Sequence, residues 1–238
     1  MKIKVLMENT SARDGICCAH GLSIYIETEK HKILMDAGPD WRFAENAEKM
    51  GVDLSLADIA VLSHGHFDHA GGLSEFMRIN SHAAIYAARG YDAPHYNLTG
   101  SYIGVEPALV SHPRITVLEG DLKIDDEISI LGFGDNEPLW DTGSAGMTEG
   151  TIDEFRRVIV RPETFSHEHD LLVSEHGKSV LFSGCSHRGI VNIAGWSQAY
   201  HPCAIVGGFH LKDLKREEFS ELDRIAGELM KYPVTYYT

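Results

Sequence analysis

Eleven residues, Ser63 to Leu73 (SHGHFDHAGGL), constrain this chain more than any others. They follow an apolar run, Ile59 to Leu62, that reads as a short buried strand. His64 and His66 are two apart, so an extended backbone points both the same way. Asp68 and His69 follow after one spacer, and Gly71 and Gly72 then let the backbone turn sharply. Imidazole and carboxylate are the ligands that a borderline divalent ion such as zinc accepts. So many polar side chains on a buried strand end are costly unless something binds them.

The spacing suggests two ions rather than one. His64 and His66 suit the first, and Asp68 and His69 suit a second. Two ions roughly 3.5–4 Å apart can deprotonate a shared water and polarise a substrate oxygen. Six positions cannot fully ligate two ions, so later residues must complete the set. Zinc is the first expectation, with iron and manganese as alternatives.

Three segments together carry a family resemblance: SHGHFDHAGGL, GCSHRGIVN (Gly184 to Asn192) and GGFHL (Gly207 to Leu211). ENTS (Glu8 to Ser11), HGLSIYIET (His20 to Thr28) and ILMDAG (Ile33 to Gly38) add to it. H-x-H-x-D-H behind an apolar strand resembles the metallo-β-lactamase-fold superfamily. The combined motifs resemble its dihydropterin-ribofuranosylaminobenzene-phosphate synthase-like branch of metal-dependent hydrolases. The resemblance covers most of the chain. It implies an α/β fold, an αββα sandwich, over residues 1–238 as one domain. It implies metal ligands at His64, His66, Asp68, His69, His187 and His210. Asp68 and His210 carry catalytic roles, Asp68 by orienting the attacking hydroxide. Asp36, at the end of its strand, supports a ligand histidine instead of binding metal. The branch runs on past its last strand into an HCTG-like segment whose histidine sits at the site. This sequence stops at Thr238, where that segment would begin, so it is expected to lack the family's last C-terminal segment. A weakly ligated second ion follows from that expectation.

Other residues compete for these roles. Cys185 stands where many relatives carry a bridging aspartate, and a thiolate also binds zinc. His187, two residues on, is the better candidate. His167 and His169 (SHEHD) form an H-x-H pair left outside the ligand set. His95 and His112, on the irregular segment 89–112, read as solvated loop residues. That segment, with Tyr91, Tyr96 and Tyr102, reads as a wall or lid beside the substrate. Arg156, Arg157 and Arg161 read as solvated strand ends.

The 238 residues suffice for one large domain or two halves with a real core. A net charge of −14 argues against nucleic-acid partners, which need a positive surface. A small anionic substrate stays compatible, because bound cations make their own cleft positive. No stretch approaches the roughly 20 apolar residues of a membrane span. Four cysteines without framework spacing, and no apolar leader, point to a reduced cytoplasmic protein.

Periodicity gives strands at 2–7, 22–27 and 33–35, a helix ending at Gly51, and a short helix after the metal loop. Further strands follow at 83–87, 115–118, 128–131, 171–173, 180–182, 203–206 and 234–237. Helices follow at 189–200 and 213–231, the last with an apolar stripe of Leu214, Phe219, Leu222, Ile225 and Leu229. Three activities fit: metal-dependent hydrolysis of an ester, phosphoester or lactone-type small substrate; pterin transfer with diphosphate release; and metal or ligand sensing without turnover.

Overall fold

The computed structural model describes residues 1–134, 136–140, 146–153, 155, 157–211 and 219–238. They form two compact units, Met1–Glu119 with Gly146–His169, and Gly120–Ala145 with Asp170–Thr238. Arg156 and Leu214 lie outside the described residues.

The first unit is built on a six-stranded sheet in the order β1-β2-β3-β4-β5-β7. Its strands are β1 (Lys2–Met7), β2 (Ser23–Glu27), β3 (Lys32–Met35), β4 (Ile59–Leu62), β5 (Ala84–Ala88) and β7 (Ile115–Leu118). The first three form antiparallel hairpins, with Ile24 opposite Met35. From β3 onward the pairing is parallel, with Met35 beside Val61 and Leu62 beside Ala87. Parallel strands need crossovers, which here carry the helices α1 (Arg42–Lys49), α2 (Phe67–Ala70) and α3 (Leu73–Ile79). All four β4 residues are buried, which explains why that strand reads as continuous apolar sequence instead of alternating. Phe43 and Ala47 of α1 and Leu73 and Phe76 of α3 enter one core with Leu34, Leu62 and Ile85. A smaller sheet of β6 (His95–Tyr96), β10 (Thr148–Ile152) and β11 (Val158–Pro162) runs in the order β11-β10-β6.

The second unit has its own six-stranded sheet, in the order β15-β14-β13-β12-β9-β8. Its strands are β8 (Leu122–Lys123), β9 (Ile128–Leu131), β12 (Asp170–Glu175), β13 (Lys178–Ser183), β14 (Pro202–Gly207) and β15 (Tyr236–Tyr237). β12 and β13 form the expected hairpin. β13 and β14 are parallel and joined through α4 (Ile190–Trp196) and a short 3-10 turn. Ile190, Val191, Ile193 and Ala194 of α4 pack with Leu181, Ile205 and Ile225. Ile225 belongs to α5 (Phe219–Leu229), the described part of the last helix. The final strand is shorter than its sequence suggests, covering Tyr236 and Tyr237 alone.

Candidate metal centre

In the first unit the histidines stand at the carboxyl ends of two parallel strands. β3 ends at Met35 and delivers Asp36; β4 ends at Leu62 and delivers Ser63 and His64. Their parallel register sets Met35 beside Val61, so the chain leaves both strands at the same end, where Asp36 comes within reach of Ser63. One Asp36 oxygen accepts the Ser63 backbone N–H at 2.7 Å. The other accepts the Ser63 hydroxyl at 2.7 Å and His69 Nδ1 at 2.6 Å. Asp36 holds this geometry with a φ of 57°, a region most L residues avoid.

Glycines let the loop close on itself. A side-chain carbon on Gly65 would lie 2.0 Å from the Tyr91 carbonyl oxygen, so only glycine fits between His64 and His66. Gly21, at φ +136°, comes as close to the Asp68 carbonyl. α2 starts directly after His66 and contains Asp68 and His69. These two therefore leave from a helical turn, before the glycine pair and not after it.

The hydrogen-bond network assigns the ring protons. Ser63 gives its single hydroxyl proton to Asp36, so toward His64 Nδ1, 2.9 Å away, it acts as acceptor. His64 thus carries its proton on Nδ1 and a lone pair on Nε2. His69 donates from Nδ1 to Asp36, which leaves its lone pair on Nε2 as well. Both side chains are buried, and their ring centroids are 4.2 Å apart. His66 lies 4.6 Å from His64. Asp68 reaches within 3.7 Å of His69 Nε2 and 3.4 Å of His20 Nε2. Buried neutral imidazoles with fixed tautomers are the donor set a divalent ion accepts. The residues present therefore fit a metal.

A second histidine group adjoins the first within the same unit. His66 Nε2, His95 Nδ1 and His167 Nε2 come within 3.1, 2.9 and 2.6 Å of one oxygen of Glu163. These four residues have ligand atoms near enough to one another to hold an ion. His95 is fully buried, contrary to its reading as a solvated loop residue. β6 pairs it with Glu149 of β10, which folds the long segment 89–112 inward at this point. His167 and His169 are buried too. Burial alone would raise the Glu163 pKa, but hydrogen bonds from His167, His66 and His95 outweigh it and hold the carboxyl well below the usual range. Burial lowers His167 to about 4, against the opposing pull of Glu163, so its ring is neutral at pH 7. Sequence reasoning passed over Glu163. Its only signal is a spacing of four residues to His167.

The second unit repeats the strand-end arrangement. β13 and β14 are parallel, and the chain beyond their ends carries His187 and His210. Their ring centroids are 4.6 Å apart. Ser186 at φ 54° and His210 at φ 49° both adopt left-handed backbone, which shapes these two bends. The Ser186 hydroxyl ties them together by donating to the Gly208 carbonyl at 2.7 Å. Gly207 touches Ser183 so closely that an added carbon would overlap its carbonyl oxygen. The four cysteines form no disulfide among the described residues. Among the described residues no helix is long and apolar enough to cross a membrane. Arg157 and Arg161 pair with Asp153 and Glu149 and are solvated, as expected.

Relatives bear on this arrangement. A protein of Methanocaldococcus jannaschii, MJ0448, itself uncharacterized, is 27% identical over 219 residues, spanning 88% of this chain and 79% of that one. The 7,8-dihydropterin-6-methyl-4-(β-D-ribofuranosyl)-aminobenzene-5′-phosphate synthase of the same organism is 29% identical over 222 residues, spanning 83% and 73%. The crystal structure of Tm1679, described as a metal-dependent hydrolase of the β-lactamase superfamily, matches with a TM-score of 0.74 at 27% identity. That match covers 95% of this chain and 83% of Tm1679. The metallo-β-lactamase superfamily as a whole matches residues 18–204. With that span matched, and with its α/β fold, the chain belongs to the metallo-β-lactamase superfamily.

Proposed function

We propose that the protein is a metal-dependent hydrolase acting on a small ester, phosphoester or lactone-type substrate, with two divalent ions of the zinc class. The observation that carries this reading is the pair of buried rings, His64 and His69, whose tautomers are set by Ser63 and Asp36 so that the ring proton is on Nδ1. His66 and Asp68 complete the first unit's ligands. His187 and His210 are proposed on residue type and on the pairing of their own rings. Ions bound there would supply Lewis acidity and lower the pKa of water to about 7. Asp68 is the proposed carboxylate that would orient that water and hold its proton. His210 is the proposed acid or base for the departing group. The net charge of −14 supports a small-molecule substrate over nucleic acid. Four cysteines without disulfide-framework spacing support a reducing, cytoplasmic setting.

One observation favours a second reading, the 29% identity to a synthase that handles a pterin. The same residues would then serve pterin transfer with release of diphosphate. A fold hosts many chemistries, so an assay must separate the two. Chelator-stripped protein reloaded with zinc should hydrolyse members of an ester, phosphodiester and lactone panel, with little turnover before reloading. Diphosphate release from a pterin diphosphate, with no hydrolysis across the panel, would favour the synthase. Tight zinc binding with neither activity would contradict both and leave a sensor.

A further inference from the structure

We infer that Glu163 is a positioning residue that fixes the ring of His66, so that His66 offers Nδ1 to a metal ion. This rests on the reading of His66 as a ligand. The Gly65 backbone N–H donates to His167 Nδ1 at 3.0 Å. A backbone N–H can only donate, so that nitrogen is bare. The neutral ring of His167 then carries its proton on Nε2 and donates it to Glu163 at 2.6 Å. The carboxylate is thereby held from a backbone atom of the metal loop itself.

His66 meets the same oxygen through Nε2 at 3.1 Å. A carboxylate can only accept, so His66 carries its proton there and its lone pair falls on Nδ1. His66 and Glu163 side chains are nearly or fully out of solvent, so water does not compete. A carboxylate behind a ligand histidine fixes the tautomer, holds the ring and raises ligand basicity. His69 has the same device in Asp36, and His64 is held instead by the Ser63 hydroxyl. Each of the three histidines would thus have its own oxygen partner, and Glu163 is the one farthest from its histidine in sequence.

The competing reading is an ion inside the cluster, since the other Glu163 oxygen is buried and makes no hydrogen bond. His167 argues against it. With its Nδ1 occupied by an N–H, its Nε2 is a donor and not a ligand.

The test is zinc affinity, read by competition with a chromogenic chelator, on the whole protein. Glu163→Gln should bind about 10–100-fold more weakly than wild type, and Glu163→Asp should recover part of the loss. Histidine-labelled, metal-free wild type should show His66 protonated on Nε2 in a long-range proton–nitrogen spectrum. Glu163→Gln should lose that single form. His66→Ala should lose an ion outright. Wild-type affinity in Glu163→Gln, with His66→Ala still defective, would overturn the positioning role alone. Wild-type affinity in His66→Ala would overturn the ligand reading beneath it. Loss of a whole ion in His95→Gln would overturn the proposal in favour of a metal inside the cluster.

Discussion

Asp36 shows how much one carboxylate arranges here. It accepts three hydrogen bonds, two from Ser63 and one from His69, all at 2.6–2.7 Å. Through them it sets the lone pairs of two histidines at once. Asp36→Asn keeps one acceptor oxygen and turns the other into a donor, facing groups that themselves donate. Zinc affinity should fall about 10–100-fold, measured by chelator competition, while the overall fold persists. This role came through the family resemblance, which implies a supporting aspartate at the end of this strand; the residue alone reads equally as a turn former. Glu163 was not legible. A lone glutamate in an irregular segment has no periodicity, and its neighbours come from 97 and 68 residues away in sequence. His95 was misread for a related reason: the bridge from β6 to β10 that buries it is a tertiary event with no local signature.

At the scale of elements, the strands and helices follow apolar patterning closely. β4 shows why the motif is placed as it is: a wholly buried parallel strand must present its polar chemistry at its carboxyl end. The loop 8–21 between β1 and β2 is pinned by α1. The buried Asn46 donates to the carbonyls of Leu6 and Cys17 at 2.7 and 2.8 Å and accepts from the Cys17 N–H at 2.9 Å. Asn46 sits among apolar helix positions and looks like an interruption until its partners are seen. Asn46→Leu would strand those backbone groups, at a cost of about 1–3 kcal/mol in unfolding free energy. Urea denaturation should show a lower midpoint with an unchanged slope.

Over the whole molecule, the buried histidine–glutamate group ties stability to pH. His167 is lowered to about 4 in the folded protein, so the unfolded chain binds more protons between its ordinary pKa of 6.5 and 4. Stability therefore rises with pH across that window and is lost as pH falls through it. Glu163 is also lowered, so its contribution is present above its ordinary pKa of 4.5 and fades below that. Metal-free protein should show a melting temperature that drops steadily from pH 7 toward pH 4. His167→Gln should flatten the upper part of that slope. Both six-stranded sheets place histidines beyond the ends of parallel strands, and the family follows from that pattern and from the matched span.

The central claim is that the strand-end histidines bind metal. Elemental analysis of protein purified without chelator tests it most directly, with His64→Ala beside wild type. The expected result is two ions per wild-type chain, zinc foremost, and at least one fewer in His64→Ala. Equal metal content in the two proteins, or a wild-type chain that holds none after exposure to zinc, would contradict it.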